Sequence, residues 1–132
     1  CASPGYLAAQ GAPAHPAEIA RHRCVIDSNF REPSAWRFTF DGGATRVVRV
    51  EARFRVNSAG AVRRLLLSGA GLGLCPSYVV RDDIARGALV SLFDGAVAGT
   101  LGVYAVYLES RHLSGKIRAF VDFIAARMRH GV

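Results

Sequence analysis

The sequence predicts a layered α/β domain, strands alternating with helices. Three observations carry this. Short apolar or alternating segments of strand character recur along the chain, segments with a 3.6-residue apolar period lie between them, and the 132 residues are 51% hydrophobic, enough for one domain with a sizeable core.

Taken in order, Ser3 and Pro4 cap a short helical turn through Tyr6 and Leu7 that Gly11 ends, and HPAEIARH, residues 15–22, is a second short helix. CVIDS, residues 24–28, is a strand. WRFTF, residues 36–40, and a long strand from Thr45 to Val56 flank the turn sequence DGGA and form a hairpin. In the long strand Val48, Val50, Ala52, Phe54 and Val56 alternate with Arg49, Glu51, Arg53 and Arg55, so one face is core and the other wet. Ser58 is an N-cap before a helix carrying Val62, Leu65 and Leu66. LGLCP is a short buried strand, Ser77 caps a helix that stops at Gly87, and ALVSLF and LGVYAVYL are further strands. From Ser114 to Gly131 a last helix lines Ile117, Phe120, Val121, Ile124 and Met128 along one face.

LLLSGAGLGLCPS, residues 65–77, places Gly69, Gly71 and Gly73 at every second position. A dinucleotide loop needs a strand before its glycines and a helix after them. Here the order is reversed, and the lysine of a Walker loop is missing. These glycines end a helix and launch a strand: Gly69 or Gly71 supplies the left-handed residue and the others allow close packing on the sheet.

Lysine plus arginine number 17 against 10 acidic residues, a net charge of +7, and Lys116 is the only lysine. The balance favours anionic partners through the long-range field. No contiguous basic block or basic-aromatic interleaving marks a nucleic-acid surface. The segments are too short and too often interrupted by charge to span a membrane, and CASPGYLAAQG has no basic region followed by an apolar one, so neither a membrane span nor a signal peptide is predicted and the cytoplasm is the expected compartment. Cys1, Cys24 and Cys75 lack metal-type spacing and imply no disulfide framework.

CASPGYLAAQGAPAHPAEIARHRCVI, then WRF, then FRVNSAGAVRRLLLSGAGLGLCPSYVVRDDIARGALVSLF, then VYAVYLESRHLSGKIRAFVDFI together resemble the effector-binding region of LysR-type transcriptional regulators, in the right order over almost the whole chain. The resemblance implies a type 2 periplasmic-binding-protein fold, two α/β subdomains with a small-molecule effector between them. It also implies that residues 1 to about 100 are subdomain II and that about 101–132 are the closing strand and helix of subdomain I. The first half of subdomain I, a linker helix and a winged helix-turn-helix precede this region in such regulators, so half the cleft and the DNA contact lie outside this chain.

Ligands of doubly wound sheets sit beyond the carboxyl ends of strands. Three strand ends qualify: Ser28 and Asn29, Asn57 and Ser58, Pro76 and Ser77. The resemblance turns the first two loops toward the effector; the third follows from strand-end geometry. Helix starts after Ser58 and Ser77 suit a carboxylate, each charge-assisted hydrogen bond contributing about 1.5–3 kcal/mol. The plainer roles are helix capping for the serines, a turn for Asn29, core packing for Trp36, Phe38 and Phe40, a solvated or subunit-contact face for Arg49, Arg53 and Arg55, and a surface loop for His112.

Enzymatic chemistry has little to stand on. Ser68 ends a helix rather than occupying a nucleophile elbow, His15, His22 and Cys24 match no zinc pattern, and Asp82 and Asp83 point in different directions on one helix. The expected function is a sensor module without catalysis, metal or cofactor, binding a small organic anion. Homo-oligomers are expected, as is DNA binding only through the helix-turn-helix of an intact regulator. The alternative is a stand-alone self-association module that uses the strand LGVYAVYL and the apolar face of the last helix.

Overall fold

A computed structural model describes residues 1–39, 43–94, 96, 104, 106 and 114–128. The chain divides into two compact units, Cys1–Thr100 and Leu101–Val132.

In the first unit, α1 (Pro4–Gln10) starts at Ser3, whose hydroxyl accepts the Tyr6 N–H at 3.3 Å, and ends at Gly11. A 3-10 helix, Pro16–Arg21, replaces the second expected helix; six residues opened by proline at the first position support the tighter turn. β1 (Cys24–Asp27) is buried throughout because it is the central strand of a parallel sheet ordered β4-β1-β5, with β4 spanning Ala52–Val56 and β5 Leu72–Gly73. Its side chains feed two cores. Cys24 and Ile26 pack with Tyr6, Ile19, Trp36, Phe38, Val48, Val50 and Leu72, whereas Val25 packs with Val62, Leu66, Val80 and Leu89.

The hairpin forms as expected: β2 (Ala35–Thr39) pairs antiparallel with β3 (Thr45–Arg49), and Trp36 and Phe38 are core. Phe40 and the first two residues of the DGGA turn, Asp41 and Gly42, lie outside the described residues. The long strand from Thr45 to Val56, however, is two strands in two sheets. The partner strand is exhausted where Ala35 meets Arg49, Val50 makes one last bond to the Ser34 carbonyl at 2.9 Å, and from Ala52 the chain pairs with β1 instead. The expected alternation therefore holds for Val48 and Val50 but not for β4, an edge strand on which Phe54 is 41% exposed.

The glycine-rich stretch resolves into separate tasks. α2 (Ala59–Leu67) closes with the Gly69 N–H on the Leu66 carbonyl and the Ala70 N–H on the Leu65 carbonyl, a Schellman motif whose left-handed residue is Gly69, φ 78°. At Gly71 a β-carbon would stand 2.2 Å from the Arg23 carbonyl oxygen. Gly73 leaves room for Leu66 and Val62.

Three further expectations change. LGLCP contributes only the two-residue β5. ALVSLF makes a single bridge, Val90 with Ala2, because the partner turns into α1 at Pro4 and Phe93 takes a positive φ of 59°. In α3 (Ser77–Ala85) the N-cap is Pro76, whose extended ψ of 138° and carbonyl bond to Val79 make Ser77 the first helical residue. The second unit holds α4 (Gly115–Met128), opened as expected by Ser114, whose hydroxyl accepts the Ile117 N–H. None of its described side chains is buried, Phe120 and Phe123 included. LGVYAVYL, apart from Tyr104 and Val106, lies outside the described residues, as do His112 and Gly131.

Candidate functional site

All three strands of the parallel sheet run the same way, so their carboxyl ends, and the loops that follow, share one edge. Hydrogen bonds tie those loops together. The Ser28 N–H and hydroxyl both donate to the Val56 carbonyl, at 2.7 and 3.0 Å, and the Asn29 side-chain amide donates to the Asn57 carbonyl at 2.7 Å. The third loop joins through the Cys75 thiol, which donates to the Ala59 carbonyl at 3.7 Å. The six residues singled out by strand-end position thus lie along one edge, with Ser28, Asn29, Asn57, Ser58 and Ser77 exposed and Pro76 half-buried.

What this edge offers chemically is a set of free donors. Ser58 is the N-cap of α2, yet its side chain makes no capping bond, and no side chain caps α3. The first intrahelical bonds come from Ala61 and Val79, which leaves the N–H groups of Ala59, Gly60, Ser77 and Tyr78 without partners in the described structure. Both helix starts carry partial positive charge.

Sequence reasoning passed over two residues here. Tyr78 stands 62% exposed beside Ser77. Asp27, the last residue of β1, is only 6% exposed; one carboxylate oxygen accepts the Asn29 N–H at 3.0 Å. Its signal was an acid closing an otherwise apolar run.

Behind the edge, α2 and α3 are locked together by Asp83, which Arg63 grips through two guanidinium nitrogens and Arg86 through one. The Arg63 hydrogen bonds hold the Asp83 carboxyl below the usual carboxylate range, and the same pairing raises Arg63. Asp82 is exposed, so the neighbouring acids do face differently. Burial pushes the thiols of Cys24 and Cys75 up to about 11, which makes them packing groups rather than nucleophiles. Arg49, Arg53 and Arg55 are exposed, and Arg55 reaches the Ser34 hydroxyl at 3.2 Å.

A depression of about 530 Å³ lies elsewhere, where Ser3, Tyr6 and Ala9 face Arg23, Ser68 and Gly69 at the amino-terminal edge of the sheet. It is open, and Arg23 there is already engaged over the Tyr6 ring at 5.3 Å. Among the described residues no group of acids, histidines and cysteines could hold a metal ion.

Residues 1–129 match the LysR substrate binding domain. The chain is 37% identical over 122 residues to the HTH-type transcriptional regulator PtxR of Pseudomonas aeruginosa, covering 92% of this chain and 38% of that protein. It is 30% identical over 131 residues to the regulator CrgA of Neisseria meningitidis, covering 96% and 42%. Among solved structures, the CrgA regulatory domain superimposes with a TM-score of 0.79 at 28% identity, over 95% of this chain and 61% of that one. The regulatory domain of AphB from Vibrio vulnificus gives 0.75 at 28%, over 96% and 62%.

Proposed function

The chain belongs to the LysR substrate-binding domain family, and from this we propose that it is the effector-sensing part of a transcriptional regulator, taking a small organic anion at the carboxyl edge of its parallel sheet. One observation supports the site most strongly: two uncapped helix starts, at Ser58 and Pro76, lie on the edge that also carries Ser28 and Asn29. Ala59, Gly60, Ser77 and Tyr78 supply backbone donors to a carboxylate, and the Ser58 and Ser77 hydroxyls and the Asn57 amide add adjustable ones. No catalytic step is assigned. The relatives PtxR and CrgA are HTH-type transcriptional regulators.

Residues 1 to about 100 act as subdomain II and about 101–132 as part of subdomain I, a proposal that the two compact units support. Effector binding biases subdomain placement in the intact regulator, a coupling of about 1–3 kcal/mol being ordinary. DNA is contacted outside this chain, and the cytoplasm is the proposed compartment; no described helix is long and apolar enough to cross a membrane. The test is thermal stabilisation of the native gene product by small carboxylates, with operator binding measured alongside. Stabilisation that is insensitive to salt and shifts operator affinity is the expected result; operator affinity that no carboxylate changes contradicts it.

A second reading, self-association, is favoured by β4, an outer strand among the described residues with Phe54 exposed. Sedimentation equilibrium should show a dimer, and a monomer at high concentration counts against it.

A further inference from the structure

Two buried acids in this domain are treated very differently. Asp83, 1% exposed, is neutralised by two arginines. Asp27, 6% exposed, has no ion-pair partner among the described residues and a single hydrogen bond, from the Asn29 N–H to one oxygen. Its other oxygen has no donor. The described residues contain no fully buried side-chain oxygen lacking a partner, so that oxygen opens to solvent.

Strand geometry says on which side. Side chains alternate along β1, so Asp27 shares a face with Val25, which packs against Val62 and Leu66 of α2 and Val80 of α3. At the carboxyl end of that face stand the beginnings of both helices, each following directly on a strand of the same parallel sheet. The Asn29 N–H takes one Asp27 oxygen and no described residue takes the other, which is left on this edge to accept from a ligand.

We infer that Asp27 is a specificity-determining residue of the effector site, accepting a hydrogen bond from a hydroxyl or ammonium group that the effector carries beside its acidic group. This rests on the sensor reading above and narrows it. The free N–H groups at Ala59, Gly60, Ser77 and Tyr78 take the acid, and Asp27 takes the donor. A plain carboxylate leaves Asp27 unsatisfied and meets its charge; a hydroxy acid or amino acid answers both.

The experiment is calorimetric titration of the native gene product with small carboxylic acids in matched sets on one carbon skeleton, such as propionate, lactate and alanine, extended to dicarboxylates and aromatic acids. Expected is at least tenfold tighter binding of the hydroxy or amino member of one set over its plain counterpart. Asp27→Asn, which keeps the oxygen that Asn29 donates to, should erase that preference, with plain acids binding at least as tightly as they do to the parent once the opposed charge is gone, while the melting midpoint stays in place. If a plain acid binds as tightly as its hydroxy and amino partners, or if the preference survives in Asp27→Asn, the inference fails while the sensor reading stands. If no acid of any set binds, the sensor reading fails and takes the inference with it.

Discussion

The two edges of the parallel sheet are built on opposite principles. At the amino edge the strands are fastened to each other and to α1: the Leu72 N–H donates to the Arg23 carbonyl at 2.8 Å, the Tyr6 hydroxyl accepts the Arg23 N–H at 3.1 Å, and Gly71 lets the two strands close up. At the carboxyl edge two helices begin without side-chain caps and a buried acid keeps one oxygen open. Such a difference is what a binding scaffold requires: one edge spends its polar groups on holding the strands together, the other keeps them for a ligand.

The largest expected effect lies at the tight edge. Gly71→Ala should destabilise the domain by about 3 kcal/mol or more, because the added carbon meets backbone and no side chain can rotate away. Chemical denaturation checks it, and a midpoint unchanged from the parent would remove the contrast between the edges. Leu66→Ala, in the core beneath both edges, should cost about 2–4 kcal/mol, because Leu66 is fully buried against Gly73.

The helix clamp adds a pH dependence. Because pairing with Arg63 depresses the Asp83 pKa in the folded state, its contribution is complete above the ordinary carboxylate pKa, and it falls away as pH drops from there through the depressed value. Melting curves from neutral to acid pH should therefore lose a component in that range, one missing in Asp83→Asn.

The smallest stability effects should come from the open edge. Ser58→Ala and Ser77→Ala should change stability by no more than about 0.5 kcal/mol, since neither hydroxyl caps its helix, where a working serine cap is worth about 1 kcal/mol. The same variants should weaken binding of any carboxylate that stabilises the parent. A cap-sized loss of stability with unaltered binding would turn the open edge into an ordinary structural one.

Legibility in the sequence followed how local each determinant is. The hairpin and the register of Val62 and Leu66 depend on neighbours a few residues away and were readable, and the left-handed glycine was narrowed to Gly69 or Gly71. The break between β3 and β4 was not: the alternation from Val48 to Val56 runs on unbroken, and a period of two does not record which strand a residue hydrogen-bonds. Nor could ALVSLF reveal that its partner turns into a helix after one bridge. The position of the three polar loops was readable from strand order, but Asp27 was not, since its 6% exposure is set by tertiary packing that no local pattern records. Ser58 and Ser77 read as caps, and only the structure shows both hydroxyls left uncommitted to capping.

The most direct test of the open edge as the ligand site is amide chemical-shift mapping of the native gene product with the small carboxylate that stabilises it most. The account predicts the largest shifts at Ala59, Gly60, Ser77 and Tyr78, with Ser28 and Asn29 following. Shifts concentrated instead at Ser3, Tyr6, Arg23 and Gly69, around the depression at the opposite edge, would contradict it.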